Sequence, residues 1–135
     1  HLKIITIVRN PYKRLISDLF HFNLIQRTTS PIKVFAIIQS YVNSDRYDNH
    51  NVPQYKFICE EDGTLMNTKT KIFKTETLNQ DLHNYGFRNF KKSMNVGKNT
   101  KNNYMKFLNK NSIEFINSFY DKDFDFFGYS KIQTV

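Results

Sequence analysis

The sequence of 135 residues has few of the residues that mark several common classes of protein. Cys59 is the only cysteine, so no disulfide can form within the chain and nothing here requires an oxidising compartment. There is no tryptophan, and the four glycines are isolated from one another. The longest apolar runs, such as Ile4 to Val8 and Val34 to Ile38, are too short to span a bilayer. We therefore expect a soluble domain.

What the chain does contain predicts a folded domain. Apolar residues make up 39% and aromatic residues 16% of the sequence, which is too apolar and too aromatic for a disordered segment. A chain of 135 residues has the length of one ordinary domain. We interpret residues 1–135 as a single domain. Because the chain starts at His1 and enters a strand almost at once, we expect a further segment before it.

The chain is strongly basic, with a net charge of +8. Such a positive field attracts phosphates, sulfated or carboxylated glycans, nucleic acids or anionic lipids, and charge alone does not choose among them. Much of the excess is lysine mixed with asparagine, as in KKSMNVGKNTKNN. A compositional bias with no binding role explains that mixture equally well.

The first part of the chain predicts a strand, a tight turn and a helix. Leu2 to Val8 is a β-branched apolar run of strand length, typical of a strand that is covered on both faces of a parallel sheet. Asn10 can cap a helix, and Pro11 suits the first helical turn because its missing N–H costs nothing there. The expected apolar face of this helix comprises Leu15, Ile16, Leu19, Phe20 and Phe22.

The rest of the chain predicts alternating helices and strands. The expected elements are a helix from Pro31 or Ile32 to Val42, a polar surface loop over NSDRYDNHNVPQ, a short strand at Tyr55 to Cys59, a turn at Glu61 to Gly63, a second buried strand at Thr70 to Lys74, a helix from about Thr77, a basic segment from Phe90 to Asn103, and a helix at Ser112 to Tyr120. Thr77 and Gln80 match a capping box. The aromatic residues after the last helix are expected to pack on the core: Phe124, Phe126, Phe127 and Tyr129. This alternation favours an α/β fold, a parallel sheet flanked by helices.

Arg9 directly follows the first predicted strand. Ligands of open α/β sheets bind at the carboxyl ends of the strands, so this arginine is expected at the ligand edge. Its guanidinium can bind a phosphate with two parallel hydrogen bonds. Arg14 and Ser17 share a helix face, and the Ser17 hydroxyl can reach the same anion. A solvated arginine with a surface serine remains the alternative.

Four segments of the sequence resemble the carbohydrate sulfotransferases of the Golgi. RNPYKRLIS resembles their R-D/N-P-x-x-R-x-x-S segment, and HNVPQ, KIFKTETLNQDL and FYDKDFDFFGY follow in the same order as similar segments of that family. The resemblance implies a sulfotransferase fold related to the P-loop nucleotide triphosphatases. It also implies that Arg9 and Ser17 hold the 3'-phosphate of the donor 3'-phosphoadenosine 5'-phosphosulfate.

Other residues receive weaker roles. Lys98 lies where the resemblance implies a loop over the nucleotide, so it is expected to contact phosphate or to be an ordinary solvated lysine. His50 is expected to contact substrate or to act as an acid or base, unless it is idle in its loop. Glu76 is expected to hold a basic residue or a helix N-terminus rather than to catalyse. Asp18 departs from the resemblance, which implies a small residue after the serine.

The expected function is transfer of a sulfonate from that donor to a hydroxyl, on a sugar acceptor, with no metal required. No glycine-rich loop for the 5'-phosphosulfate occurs in the chain, and the resemblance places that loop and the catalytic base before His1. The chain is thus expected to be part of a catalytic domain, with a missing N-terminal segment or membrane anchor. A non-catalytic nucleotide- or glycan-binding relative and, with less support, a nucleic-acid-binding module are the alternatives. Cytoplasm and Golgi lumen both remain open.

Overall fold

The computed structural model describes residues 3–88 and 103–135, which form a mixed α/β fold. Its strands and α-helices are β1 (Ile4–Val8), α1 (Pro11–His21), α2 (Pro31–Val42), β2 (Thr70–Lys74), α3 (Leu78–Tyr85), α4 (Lys110–Phe119) and α5 (Asp121–Phe127). Single 3-10 turns lie at Gln54–Phe57, Thr75–Thr77 and Tyr104–Phe107. Most of the basic segment predicted from Phe90 to Asn103 lies outside the described residues.

The two described strands form a small parallel sheet. Ile4 lies beside Thr70 at one end and Val8 beside Lys74 at the other. Parallel strands require a long connection, and α1 and α2 lie within it. Because the strands run the same way, both end at one edge of the sheet, where Arg9 and Thr75 follow them. The predicted parallel pairing is confirmed for these two strands.

The prediction that β1 is covered on both faces is wrong for the described structure. Val8 is fully buried, but the side chains of Ile5 and Ile7 remain 37% and 49% exposed. The reason lies in the position of α3, which packs against β2 and places Leu78 and Leu82 on Phe73. β1 therefore has one buried residue at its carboxyl end and exposed isoleucines before it.

Helix α1 starts where the sequence predicts. The side-chain oxygen of Asn10 accepts hydrogen bonds from the N–H groups of Tyr12 (3.0 Å) and Lys13 (3.3 Å), and Pro11 occupies the first helical position. These bonds satisfy two N–H groups that the helix leaves unpaired. Helix α2 starts in the same way, with Ser30 as its cap.

The main core lies between α1, α2, α4 and α5. Its buried side chains include Leu15, Ile16, Leu19, Val34, Ile38, Tyr41, Ile113, Ile116 and Phe124. A second cluster surrounds Val8 and contains Tyr55, Ile58, Cys59 and Phe127. The predicted packing of the late aromatic residues is confirmed, although Phe124, Phe126 and Phe127 lie on α5, a helix that the sequence pattern did not predict, and Tyr129 follows it. Two clusters thus hold the residues before and after Arg9.

Two local predictions are wrong. The segment predicted as a strand at Tyr55 to Cys59 begins as a 3-10 turn, because the buried Asp123 carboxylate accepts the N–H groups of Gln54 and Tyr55 (2.8 Å each). Only Cys59 makes an isolated bridge, to Leu65. The capping box at Thr77 does not form, because its hydroxyl donates to the carboxylate of Asp81 at 2.7 Å.

Candidate functional site

The residue that follows β1 is held by its backbone. The N–H of Arg9 donates to Oε1 of Gln54 (2.9 Å), and Nε2 of Gln54 donates to the carbonyl of Arg9 (2.9 Å). The carboxylate of Asp123 accepts the backbone N–H of Gln54 and contacts its Nε2 at 3.4 Å. Gln54 and Asp123 are buried, so water does not compete for these bonds. The position of Arg9 therefore depends on residues 45 and more positions away in the chain.

The N-terminus of α1 is tied to the segment after β2. The N–H of Asn10 donates to Oε1 of Glu76 (2.8 Å), and the hydroxyl of Tyr129 donates to Oε2 (2.8 Å). Burial alone would raise the pKa of Glu76, but these two hydrogen bonds, together with its own backbone N–H and the charge of Lys13, hold the pKa below its ordinary value. These contacts match the structural role predicted for Glu76, at a helix N-terminus.

Arg14 anchors the loop before Gln54. Its two terminal nitrogens donate to the backbone carbonyls of Val52 (2.9 Å) and His50 (2.6 Å). The carboxamide of Asn51 donates to two carbonyls at the end of α2, and the hydroxyl of Tyr120 donates to the carbonyl of Asn51 (2.9 Å). The predicted surface loop is thus fixed to the core at its second half. Arg14 therefore has a structural role, because both of its terminal nitrogens bond the loop.

The four segments that carry the resemblance therefore meet in space. RNPYKRLIS supplies Arg9, Asn10 and Arg14, whose direct partners are His50, Val52 and Gln54 from HNVPQ and Glu76 from KIFKTETLNQDL. The segment FYDKDFDFFGY holds those partners in turn, because Tyr120 bonds Asn51, Asp123 bonds Gln54 and Tyr129 bonds Glu76. Segments far apart in the chain converge on the turn between β1 and α1.

The side chains of Arg9, at the end of β1, and of Ser17, on α1, are left available. Both residues are half-buried, and within residues 3–88 and 103–135 neither side chain makes a hydrogen bond or an ion pair. The charge of Arg9 still acts on two neighbours. Burial and nearby Glu76 raise the pKa of Tyr129, and burial raises that of Asp18; the positive charge of Arg9 opposes both shifts. The charge of Arg9 is thus close enough to act on both Tyr129 and Asp18.

His50 lies beside α1. Its Nδ1 is 3.8 Å from Oδ1 of Asp18, and its ring stacks on His21 with 6.0 Å between ring centroids. The ring of Phe22 makes a T-shaped contact with the His50 ring, with 5.2 Å between ring centroids. His50 is close to half exposed, whereas Asp18 is mostly buried. The structure therefore joins His50 to the Arg9 and Ser17 region through Asp18.

The remaining predicted residues lie elsewhere. Lys98 is outside the described residues. Cys59 is buried, and burial raises the pKa of its thiol, which suits a packing residue rather than a nucleophile.

Among the residues that the structure describes, no three His, Cys, Asp or Glu side chains are grouped so as to hold a metal ion. In the same residues, no helix has the length and apolar character needed to cross a membrane.

Sequence reasoning missed the residues that position Arg9. Gln54 and Asp123 look like ordinary polar residues of a loop and of an acidic run, and their partners lie 45 and 69 positions away. The only local signal was their place inside two of the resembling segments. A polar residue that accepts backbone N–H groups far away in the chain leaves no periodic trace.

The comparisons with known proteins add no family. No protein-family model, no curated protein and no solved structure matches the chain. The fold and site define the class only broadly. It is a mixed α/β domain with a parallel strand pair and an arginine held by buried hydrogen bonds at the carboxyl edge.

Proposed function

We propose that this chain forms the 3'-phosphate-binding part of a sulfotransferase that uses 3'-phosphoadenosine 5'-phosphosulfate and transfers its sulfonate to a hydroxyl of a carbohydrate. The proposal includes a fold related to the P-loop nucleotide triphosphatases. It rests on the resemblance of four segments and on the geometry at the turn between β1 and α1.

The convergence of the four segments on Arg9 is the observation that carries the proposal. Hydrogen bonds with Gln54 and Glu76 fix the backbone of Arg9 and Asn10, while the Arg9 side chain makes no hydrogen bond or ion pair among the described residues. A half-buried guanidinium that forms no hydrogen bond to a carboxylate is unfavourable unless an anion completes it. A phosphate supplies that anion, with two charged hydrogen bonds from the fork of the guanidinium.

Ser17 supplies the second contact. It lies two turns into α1, on the same helix as the cap residue Asn10. Its hydroxyl has no partner among the described residues and can donate to a phosphate oxygen held by Arg9. The N–H groups of Tyr12 and Lys13 are already taken by Asn10, so the anion is bound by side chains rather than by the helix N-terminus.

The proposed reaction also needs a base for the acceptor hydroxyl and a site for the 5'-phosphosulfate. The sequence has no glycine-rich loop that could bind the 5'-phosphosulfate, so we assign only the 3'-phosphate contacts to these residues. Lys98 is proposed as a further phosphate contact, and His50 as a residue near the acceptor. The carbohydrate acceptor follows from the resemblance and from the positive charge of the chain.

Calorimetric titration with 3',5'-adenosine bisphosphate tests the proposal, with 5'-AMP as the matched ligand that lacks the 3'-phosphate. We expect the bisphosphate to bind at least about tenfold more tightly, because a charged hydrogen bond is worth about 1.5–3 kcal/mol. Equal affinities would contradict a 3'-phosphate site. A preference without any transfer from the complete donor to hydroxyl acceptors would favour a non-catalytic nucleotide-binding relative.

A further inference from the structure

A mostly buried carboxylate lies next to the proposed phosphate residue Ser17. Asp18 follows Ser17 on α1, and its side chain is 17% exposed. One of its oxygens accepts a hydrogen bond from Tyr41 (3.4 Å) and lies 4.0 Å from Nε of Arg14. A negative charge at this place opposes the binding of a phosphate to Arg9 and Ser17. Because the two terminal nitrogens of Arg14 bond backbone carbonyls, Arg14 forms no two-pronged pair with the Asp18 carboxylate and neutralises it only in part.

The other oxygen of Asp18 faces a group that can change its charge. Nδ1 of His50 lies 3.8 Å from Oδ1 of Asp18, and the ring is open to solvent on one side. An imidazole is the side chain whose charge changes in the physiological pH range. The titratable and charged groups around the pair are Arg9, Arg14, His21, Tyr41 and Tyr120. Of these, His21 is the only other imidazole.

We infer that Asp18 and His50 set the pH dependence of phosphate binding at Arg9 and Ser17. This inference rests on the proposed function. When His50 carries a proton, its charge balances Asp18, and the arginine is free to bind the phosphate. When His50 is neutral, Asp18 repels the phosphate and competes with it for Arg9. Affinity for a phosphomonoester is therefore higher below neutral pH than the ligand's own ionisation predicts.

The sign of the effect separates it from the titration of the ligand. A phosphate monoester loses its second proton near pH 6, so its greater negative charge favours binding to a cation as pH rises. The Asp18 and His50 pair acts in the opposite direction. Comparing variants at the same pH cancels the contribution of the ligand.

The experiment is calorimetric titration of 3',5'-adenosine bisphosphate, at about pH 6 and about pH 8. The proteins are the wild type, His50→Gln, Asp18→Asn and the control His21→Gln. His50→Gln keeps the backbone carbonyl that Arg14 binds, and Asp18→Asn keeps an oxygen for Tyr41. His21 stacks on His50 but forms no ion pair with Asp18 in the described structure, so its substitution tests for a general effect of a nearby histidine.

We expect the ratio of the wild-type affinity to the His50→Gln affinity to be about fivefold larger at pH 6 than at pH 8, which corresponds to about 1 kcal/mol. Asp18→Asn should bind more tightly than the wild type at pH 8 and lose the dependence, while His21→Gln follows the wild type. The inference is overturned if the bisphosphate stays preferred over 5'-AMP but the wild type and His50→Gln change alike with pH, or if Asp18→Asn binds no more tightly. Absence of any preference for the bisphosphate overturns the phosphate site and this inference with it.

Discussion

Gln54 and Arg9 are joined by two hydrogen bonds that form a closed ring. The side-chain amide of Gln54 accepts the N–H of Arg9 and donates to its carbonyl, both at 2.9 Å. Gln54 thus acts as a short piece of neighbouring strand that pairs with the backbone just after β1 ends. The backbone N–H and carbonyl of Arg9 are both hydrogen-bonded, and its side chain starts from a fixed point. The identity of residue 54 therefore bears directly on the proposed phosphate site.

Replacing Gln54 by alanine is expected to lower the free energy of unfolding by about 2–3 kcal/mol, because it leaves the N–H and carbonyl of Arg9 without partners. Chemical denaturation monitored by circular dichroism measures the change. Gln39→Ala, at an exposed site on α2, should alter stability by no more than about 0.5 kcal/mol. Equal effects of the two variants would show that the ring with Arg9 does not stabilise the fold.

The lowered pKa of Glu76 leads us to expect that the stability of the fold depends on pH. Burial would raise its pKa, but hydrogen bonds from Asn10, Tyr129 and its own backbone, with the charge of Lys13, hold the folded-state pKa below the ordinary value of 4.5. A carboxylate with a lowered pKa stabilises the fold above its unfolded pKa, and that contribution is lost as pH falls through the folded-state pKa. In Glu76→Gln the free energy of unfolding should depend less on pH in the acid range below about pH 5. Identical acid profiles for the variant and the wild type would contradict this role.

Substitution of Arg14 is expected to loosen the loop that contains His50. Arg14→Lys should weaken protection of the amides around residues 50–55 from hydrogen exchange, because an ammonium cannot reproduce the fork that reaches two carbonyls. Arg14→Ala should cost about 1.5–3 kcal/mol of global stability. Arg46→Ala, an exposed arginine of the same loop, serves as the control. Unchanged exchange in Arg14→Lys would show that the loop is held by its other contacts alone.

Local sequence signals predicted much of the fold. Caps and prolines at Asn10, Pro11, Ser30 and Pro31 placed the starts of α1 and α2 correctly, because each acts on the first turn of its own helix. The β-branched run ending at Val8 placed β1. In contrast, α5 was missed, since its start at Asp121 directly after α4 has no side-chain cap.

The candidate site was predicted only in part. Arg9 was placed at the end of β1 from its position in the sequence. The contacts that fix it come from Gln54, Glu76 and Asp123, through bonds that span 45 to 69 positions. Periodicity and capping describe neighbours along the chain, so they cannot show such partners. The pairing of Asp18 with His50 was missed for the same reason.

Substitution of Ser17 is expected to weaken nucleotide binding without changing the stability of the fold. Its hydroxyl has no partner among the described residues, so Ser17→Ala should leave the free energy of unfolding within about 0.5 kcal/mol of the wild type. The same change should weaken binding of 3',5'-adenosine bisphosphate by up to about tenfold, through loss of one hydrogen bond to a charged group. Ser118→Ala, at an exposed site on α4, should change neither quantity. Undiminished binding in Ser17→Ala would remove Ser17 from the site.

The most direct test of the account is the affinity of Arg9→Ala for 3',5'-adenosine bisphosphate. Since Gln54 contacts only the backbone of Arg9, the variant should keep the fold, which circular dichroism can verify. We predict that it binds the bisphosphate more weakly by roughly 1.5–3 kcal/mol and loses the preference over 5'-AMP. Arg46→Ala should bind like the wild type. A folded Arg9→Ala variant that retains both the affinity and the preference would contradict a 3'-phosphate site at the end of β1.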